Sequence, residues 1–417
     1  MPPRRRSADP ERHRDPERER LEGLVARLRG RPARFAGVAA LAAESGLGAA
    51  KLHAAFRRCY HSTPARMLGE ARIAAARRLL LATGRPSAAI AADVGFASLL
   101  AFNAAFRAAN GMSPLDYRRL LGAREVRMEL PRAFPRRRLL AYLGRERDSL
   151  SVLVHGDSFA AGIRLGSTPA LLRGRLGERS AQLAIEAPQH LPPTAAAEAL
   201  ALARRMLGLG RGPADFERHA ARNPRLAPLL AVRRGLRIPL VADPFDGLVW
   251  VIVGQQISLP FAFALRRALL ERVGEPVGAG LCAPARAAAV AELTERDLTA
   301  AKYSRGKAEY LLGVARRVTA GELKMEELAE ASVPAAEAAL LAVRGLGPWS
   351  VQYLLMRVLG FEDCVPLGDA GLARGLTRLF ALPSPPGPRE MAALMEPFAP
   401  YRSWGTYYLW QSLEKET

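Results

Sequence analysis

Three textures of apolar and polar positions follow one another along the chain. From about Leu21 to Leu121 apolar residues recur every three or four positions, the period of a helix packed on one side. A repeat lies inside that stretch. Ala42, Gly46 and Leu52 read as a small residue in one helix, a glycine turn and an apolar anchor in the next, followed by Phe56-Arg57 and then Pro64. The same order returns with a turn at Gly95, Phe102 in the place of Leu52, and Phe106-Arg107 before Pro114. Two helix-turn-helix units are therefore predicted, joined by a long helix around Glu70 to Leu81. Their second helices fall at about Gly48 to Arg58 and Ser98 to Ala108.

After a linker near Gly122 to Leu130 the period shortens. Val152 to Val154, Ser158 to Leu165, Leu171 to Leu176 and Gln182 to Ile185 alternate in part and are separated by Gly, Asp and Ser, as antiparallel strands are. Helices at Arg137 to Leu143 and Thr194 to Leu207 would cover one face. From about Leu207 to Thr417 the text is helical again, with short loops only. Within it, Val333 to Arg344 predicts a helix that Gly345 and Gly347 end. Pro348 opens the next, where its missing N–H costs nothing. Trp349 and Tyr353, four residues apart, share a face of that second helix.

At 417 residues the chain can hold two or three cores. A formal charge of +21 points to a polyanionic partner, although part of the arginine excess accompanies the abundant Ala, Leu and Gly that a GC-rich genome encodes. Cys59, Cys282 and Cys364 lie too far apart to suggest a disulfide framework, and by themselves cannot hold a four-cysteine zinc site or an iron–sulfur cluster. A reduced cytoplasm fits them. No apolar run approaches the roughly 20 residues of a membrane span, so no membrane partner is expected. Residues 1–20, charged and nearly free of large apolar groups, read as a disordered basic arm.

The segment ARRLLLATGRPSAAIAADVGFASLLAFNAAFRAANGMSPLDYRR, from Ala76, resembles the second half of an AraC-type DNA-binding domain. That resemblance places the second helix of each unit in the major groove. Lys51, His53, Arg57 and Arg58 would face DNA from the first, and Ser98, Asn103 and Arg107 from the second, where Leu99 and Leu100 replace polar readers. FPRRRLLAYLGRERD, from Phe134, resembles the small amino-terminal β domain of AlkA-type 3-methyladenine DNA glycosylases. DPFDGLVWVIVGQQIS, from Asp243, AKYSRGKAEYL, from Ala301, and the Gly345-Leu346-Gly347 hairpin resemble the catalytic domain of the same family. The implied fold is mainly α with a small α+β domain. It comprises an AraC-type double helix-turn-helix over 21–121, an antiparallel sheet with two helices over 127–206, and an all-helical helix-hairpin-helix glycosylase domain over 207–417.

The resemblance also implies roles. Asp369, which opens the helix AGLARGLTRLF and follows Trp349 by 20 residues, matches the carboxylate that faces the sugar of an extruded nucleotide; by itself it reads equally as an N-cap. Trp349, Tyr353 and Trp410 match an aromatic pocket for a cationic alkylated purine. Gly345, Leu346 and Gly347 would hold a phosphate through backbone N–H groups. The carbonyls of Leu341, Val343 and Leu346 would offer a monovalent cation site, with no other cofactor implied. Gln255 and Gln256 sit in the loop that enters the minor groove, with Gln256 where a relative has a leucine wedge. Related lyases place a nucleophilic lysine where Trp349 stands, so an enzyme that only removes the base is expected. Its partners would be duplex DNA with alkylated bases and promoter DNA, with the chain acting as a monomer. The competing expectation is an AraC-like regulator of the alkylation response whose glycosylase domain binds DNA without catalysis. No Pro-Cys-His methyl-acceptor motif or cysteine-rich zinc module is present in the sequence.

Overall fold

The computed structural model describes residues 16–231 and 233–414. Most of the expected disordered arm, residues 1–15, lies outside them. The arm does not reach residue 20, however, because the first helix, α1, already runs over Pro16–Gly30. Leu21, Leu24, Val25 and Leu28 are buried along it, and this stripe draws the preceding charged turn into the helix. The chain divides into two compact units, one ending at Ala105 and one beginning at Phe106.

In the first unit α1 is followed by α2 (Val38–Ser45), α3 (Ala49–Tyr60), α4 (Pro64–Ala82), α5 (Ser87–Asp93) and the start of α6 (Leu99–Asn110). The two turn glycines behave as the repeat requires, with φ of +69° at Gly46 and +92° at Gly95. At Gly95 a Cβ would also fall 3.1 Å from the Ala33 Cα, so glycine is demanded twice there. Leu24, Leu28, Leu41, Leu52 and Phe56 are fully buried and form the core beneath α3.

The second unit opens with the end of α6 and α7 (Pro114–Arg118). A five-stranded antiparallel sheet follows, built from β1 (Glu125–Glu129), β2 (Val152–His155), β3 (Ser158–Leu165), β4 (Thr168–Leu176) and β5 (Ser180–Glu186), in the order β1-β5-β4-β3-β2. β1 replaces the expected linker. Only Val126 and Met128 of its five residues are buried, too few apolar positions to mark a strand in sequence. Val126, Leu183, Gly174, Phe159 and Val154 form one in-register row on the inner face. Gly174 is needed there, since a Cβ would lie 2.2 Å from the Phe159 ring. α8 (Arg136–Leu143) packs on this face, with Gly144 against Val154, and α9 (Ala195–Met206) leads out of the domain.

The remaining chain forms α10 (Ala214–Ala221), α11 (Pro244–Val253), α12 (Leu259–Val273), α13 (Ala287–Ala291), α14 (Glu295–Ala300), α15 (Arg305–Thr319), α16 (Met325–Glu330), α17 (Val333–Leu341), α18 (Pro348–Leu354), α19 (Ala370–Phe380), α20 (Pro388–Met395) and α21 (Arg402–Ser412). It is not wholly helical as expected: between α12 and α13 lie β6 (Glu275–Gly278) and β7 (Leu281–Ala283). This hairpin is stable because it docks on the sheet. The Cys282 N–H donates to the Leu150 carbonyl at 2.7 Å, and Arg164 reaches from β3 to Glu275 at 2.6 Å and the Pro284 carbonyl at 2.9 Å. Ala160, Leu171, Val277, Leu281 and Ala283 form its own small core. Among the described residues no helix is long and apolar enough to cross a membrane.

The docking leaves no room at Gly162, where a Cβ would fall 1.9 Å from the Cys282 carbonyl oxygen. Gly162→Ala is therefore expected to cost about 1–3 kcal/mol by overpacking. The urea midpoint should drop with little change in slope; an unchanged midpoint would mean that the hairpin yields freely.

Candidate active site

The helix-hairpin-helix is formed by α17, a turn over residues 342–347, and α18. α17 ends three residues earlier than expected, at Leu341, because the last turn tightens, with the Val343 N–H donating to the Leu340 carbonyl at 3.1 Å. Gly345 adopts φ +94° and lies on the Tyr310 ring, where a Cβ would come within 2.4 Å of Cγ. Gly347 is the N-cap of α18 and Pro348 its first residue, as the sequence predicted. The Leu346 side chain is buried, and its N–H donates to the Val343 carbonyl at 3.0 Å. Only its backbone could therefore serve a ligand.

α18 carries Trp349 and Tyr353 on one face, with ring centroids 5.7 Å apart at 31°. Tyr353 in turn lies 6.1 Å from Trp410 of α21 at 37°, so the three rings form a row. Asp369 stands beside it as the N-cap of α19. Its Oδ1 accepts the Leu372 N–H at 2.7 Å and the Trp410 Nε1–H at 2.8 Å, while Trp349 Nε1 is 3.4 Å from Oδ2. The N-cap reading of Asp369 holds, and the cap orients a half-buried carboxylate between two indoles. Two glycines make this possible. A Cβ on Gly375 would meet the Leu409 backbone at 3.0 Å, and one on Gly371 would lie 3.1 Å from Asp369 Oδ1 and from Trp410 Cδ1.

Tyr353 also lines a cavity of about 150 Å³ whose walls include Tyr142, Arg145, Trp250, Phe263 and Arg357. These residues were not singled out in sequence. Arg357 was accessible, since it continues the Trp349, Tyr353 stripe at the next i+4 position. Tyr142 and Arg145 come from α8 and the residues after it, 200 positions away in the chain, and only folding reveals them. The Arg357 guanidinium donates to Tyr142 Oη at 2.5 Å and to the Pro239 carbonyl at 3.0 Å, and the Arg145 guanidinium sits 3.9 Å from the Tyr142 ring centroid. Burial raises the Tyr142 phenol, but Arg145 and Arg357 outweigh it and bring the group down to about 8. Asp243, which caps α11, is pushed up to about 6 by burial.

The loop after α11 holds the two glutamines in different ways. Gln256 is exposed with φ +56°, a left-handed conformation that turns its side chain outward. Gln255 points inward instead of toward DNA as expected. Its amide donates to the Gly345 carbonyl at 2.8 Å and to Ser350 Oγ at 3.1 Å, tying this loop to the hairpin. Lys307 of α15 seals the same loop from below, donating to the carbonyls of Val253 and, at 2.8 Å, Gln255.

Several of the residues expected to face DNA from the helix-turn-helix units are engaged within the protein. Lys51 and Asn103 are exposed and Arg57 is half-buried. Arg58 pairs with Glu17 at 2.9 Å, Ser98 Oγ caps α6 by accepting the Ala101 N–H at 3.1 Å, and Arg107 pairs with Glu129 at 2.9 Å. Leu100 is 81% exposed. Arg58, Ser98 and Arg107 thus each have a partner within the protein, while the two arginine pairs stay on the exposed surface.

Residues 249–400, which hold the hairpin, Trp349, Tyr353 and Asp369 but not Trp410, match the HhH-GPD superfamily of base excision DNA repair proteins. Residues 41–120 match a helix-turn-helix domain of AraC type. A DNA-3-methyladenine glycosylase of Bacillus subtilis is 35% identical over 182 residues, 43% of this chain, and the chain spans 60% of that relative's length. A probable bifunctional transcriptional activator/DNA repair enzyme AlkA of Mycobacterium tuberculosis is 26% identical over 91% of this chain and 77% of its own length. The 3-methyladenine DNA glycosylase structure from Archaeoglobus fulgidus superposes with a TM-score of 0.61 at 22% identity, covering 68% of this chain and 97% of that one. That likeness establishes the fold from the β domain onward. Residues Leu355–Leu359, just after α18, form a π-helical turn.

Two measurements check this geometry. Gln255→Ala should cost about 1–3 kcal/mol, because the Gly345 carbonyl loses its donor, and should speed amide hydrogen exchange over residues 254–258 and 343–347 together. Exchange confined to one of the two segments would refute the tie. For Tyr142, the folded phenol titrates near 8 and the unfolded one near ~10. Ionisation-linked stability is therefore absent below pH 8, grows between 8 and 10 and is complete above. The earliest tyrosinate absorbance step should vanish in Tyr142→Phe; an identical titration in both proteins would dismiss the guanidinium pairing.

Proposed function

We propose that the chain is a monofunctional DNA glycosylase that extrudes alkylated purines of the 3-methyladenine and 7-methylguanine type from duplex DNA and hydrolyses their N-glycosidic bonds. The observation that supports this reading is the carboxylate of Asp369 held between the indole N–H groups of Trp349 and Trp410, at the end of a row of three aromatic rings. An alkylated purine carries positive charge, and the faces of Trp349, Tyr353 and Trp410 attract a cation more than a neutral base. As the bond breaks, positive character moves onto the sugar. A carboxylate fixed in advance by its cap stabilises that charge without reorganising. Oδ1 is occupied by two N–H donors, so Oδ2 is the oxygen left to face the sugar or orient water.

In this reading the backbone of Gly345, Leu346 and Gly347 takes a phosphate, and a monovalent cation on the Leu341, Val343 and Leu346 carbonyls would add a fixed positive charge to the turn. Gln256, exposed on its left-handed residue, fills the gap left by the extruded base, which offsets part of the few kcal/mol that flipping costs. Trp349 has no amine, so no Schiff base forms and the strand is left intact at an abasic site. The amino-terminal unit docks on duplex DNA through α3, where Lys51 is exposed, and its resemblance to AraC-type domains together with the mycobacterial relative's name supports a role at promoters.

Release of free base from methylated duplex, measured under single turnover, should fall on the order of 10²–10³ in Asp369→Asn, while duplex binding persists. Equal rates in variant and wild type would defeat the catalytic role and leave the regulator reading, in which the HhH-GPD half only binds. Strand nicking by the purified wild type would contradict the monofunctional assignment.

A further inference from the structure

Five hydrogen-bond donors stand in one cross-strand row on the outer face of the five-stranded sheet. Arg127 of β1 pairs in register with Gln182 of β5, Gln182 with Arg175 of β4, Arg175 with Ser158 of β3, and Ser158 with His155 of β2. Directly opposed residues of antiparallel strands place their side chains on the same face. The row therefore crosses the whole sheet, about 19 Å at ~4.8 Å per strand. Four of its members are exposed and Ser158 is half-buried. The next row inward, Val126, Leu183, Gly174, Phe159 and Val154, contains no polar side chain, so the donors are all on the solvent side.

The row contains no carboxylate. Two other guanidiniums of this domain are matched, Arg173 with Glu186 at 2.6 Å and Arg164 with Glu275 at 2.6 Å. Among the described residues Arg127 and Arg175 have no ion-pair partner, and they lie two strands apart, about 10 Å at the usual strand spacing. Beside the row, Ala160, Ala184 and Ala279 line a groove of about 880 Å³ whose charged lining is three arginines, Arg127, Arg173 and Arg175, against one carboxylate, Glu125. Phe159 lines the groove but is buried, so its ring offers no platform on which single-stranded bases could stack. Two unpaired guanidiniums, an amide, a hydroxyl and an imidazole along one line suit a chain of phosphates.

We propose that this outer sheet face is a second DNA-binding surface, which takes the sugar–phosphate backbone of duplex flanking the site engaged by the hairpin. It rests on the reading of the chain as a DNA-acting enzyme and adds to it a contact outside the HhH-GPD half. The contact carries no sequence information. Its contribution is counterion release, hence tighter holding of long duplex than of short.

The test uses the full chain carrying Arg127→Gln and Arg175→Gln together. A control pair, Arg296→Gln and Arg389→Gln, removes the same charge from exposed positions elsewhere. Affinity for undamaged duplexes of about one and about three helical turns is measured over a salt series, with thermal melting to verify the fold. On the long duplex the slope of log K against log salt should shrink by about 2 in the sheet variant, and the control should keep the wild-type slope. Base release from a short methylated duplex should be unchanged in both. A wild-type slope in the sheet variant, as expected if the row instead takes an acidic protein segment, overturns the proposal, as does an equal loss in the control. Failure of the glycosylase reading would appear separately, as wild-type protein that binds these duplexes yet releases no base.

Discussion

The close approach of α21 to α19 is the constraint on which the candidate site depends. Gly375 lets the Leu409 backbone come within contact of α19, and Gly371 leaves the space that Asp369 Oδ1 and the Trp410 indole share. A side chain at either position would separate the carboxylate from its 2.8 Å indole donor. With them in place, a group that caps a helix also faces an aromatic row. The cap fixes the carboxylate beside the rings through the Leu372 N–H.

A second set of contacts joins parts that act on DNA in the proposed function. Gln255 links the loop of Gln256 to the Gly345 carbonyl, and Lys307 holds the other side of that loop. The hairpin that would bind phosphate and the residue that would enter the duplex therefore share a hydrogen-bonded support. Desolvation lowers the Lys307 ammonium, but its bonds to two carbonyls at the end of α11 keep it where the helix dipole favours a cation.

The formal charge of +21 is informative only once its distribution is known. Much of the arginine is consumed inside the fold: Arg266 between Asp246 and Glu146, Arg402 on Asp363, and Arg357 among three tyrosine rings. Arg58 and Arg107, which a sequence pattern offers to DNA, are paired internally as well. Composition overstates the surface available to a polyanion, and register, as in the outer row of the sheet, locates it better.

By itself the sequence determined the order of the modules, the turn glycines at 46, 95 and 345, the Pro348 helix start, four of the five strands of the main sheet and the cap at Asp369. All of these are local: they follow from φ preferences, capping and periodicity within a few residues. β1 escaped because its two apolar residues alternate with three charged ones and read as a polar linker, and the β6–β7 hairpin because it is short and held by partners far along the chain. Tertiary structure alone decided that Gln255 turns inward, that Arg107 meets Glu129, and that Tyr142 reaches Arg357 across 215 positions of sequence. A side chain's direction is settled by which donor or acceptor lies nearest in space, and that neighbour is set by packing between elements, which no local pattern encodes.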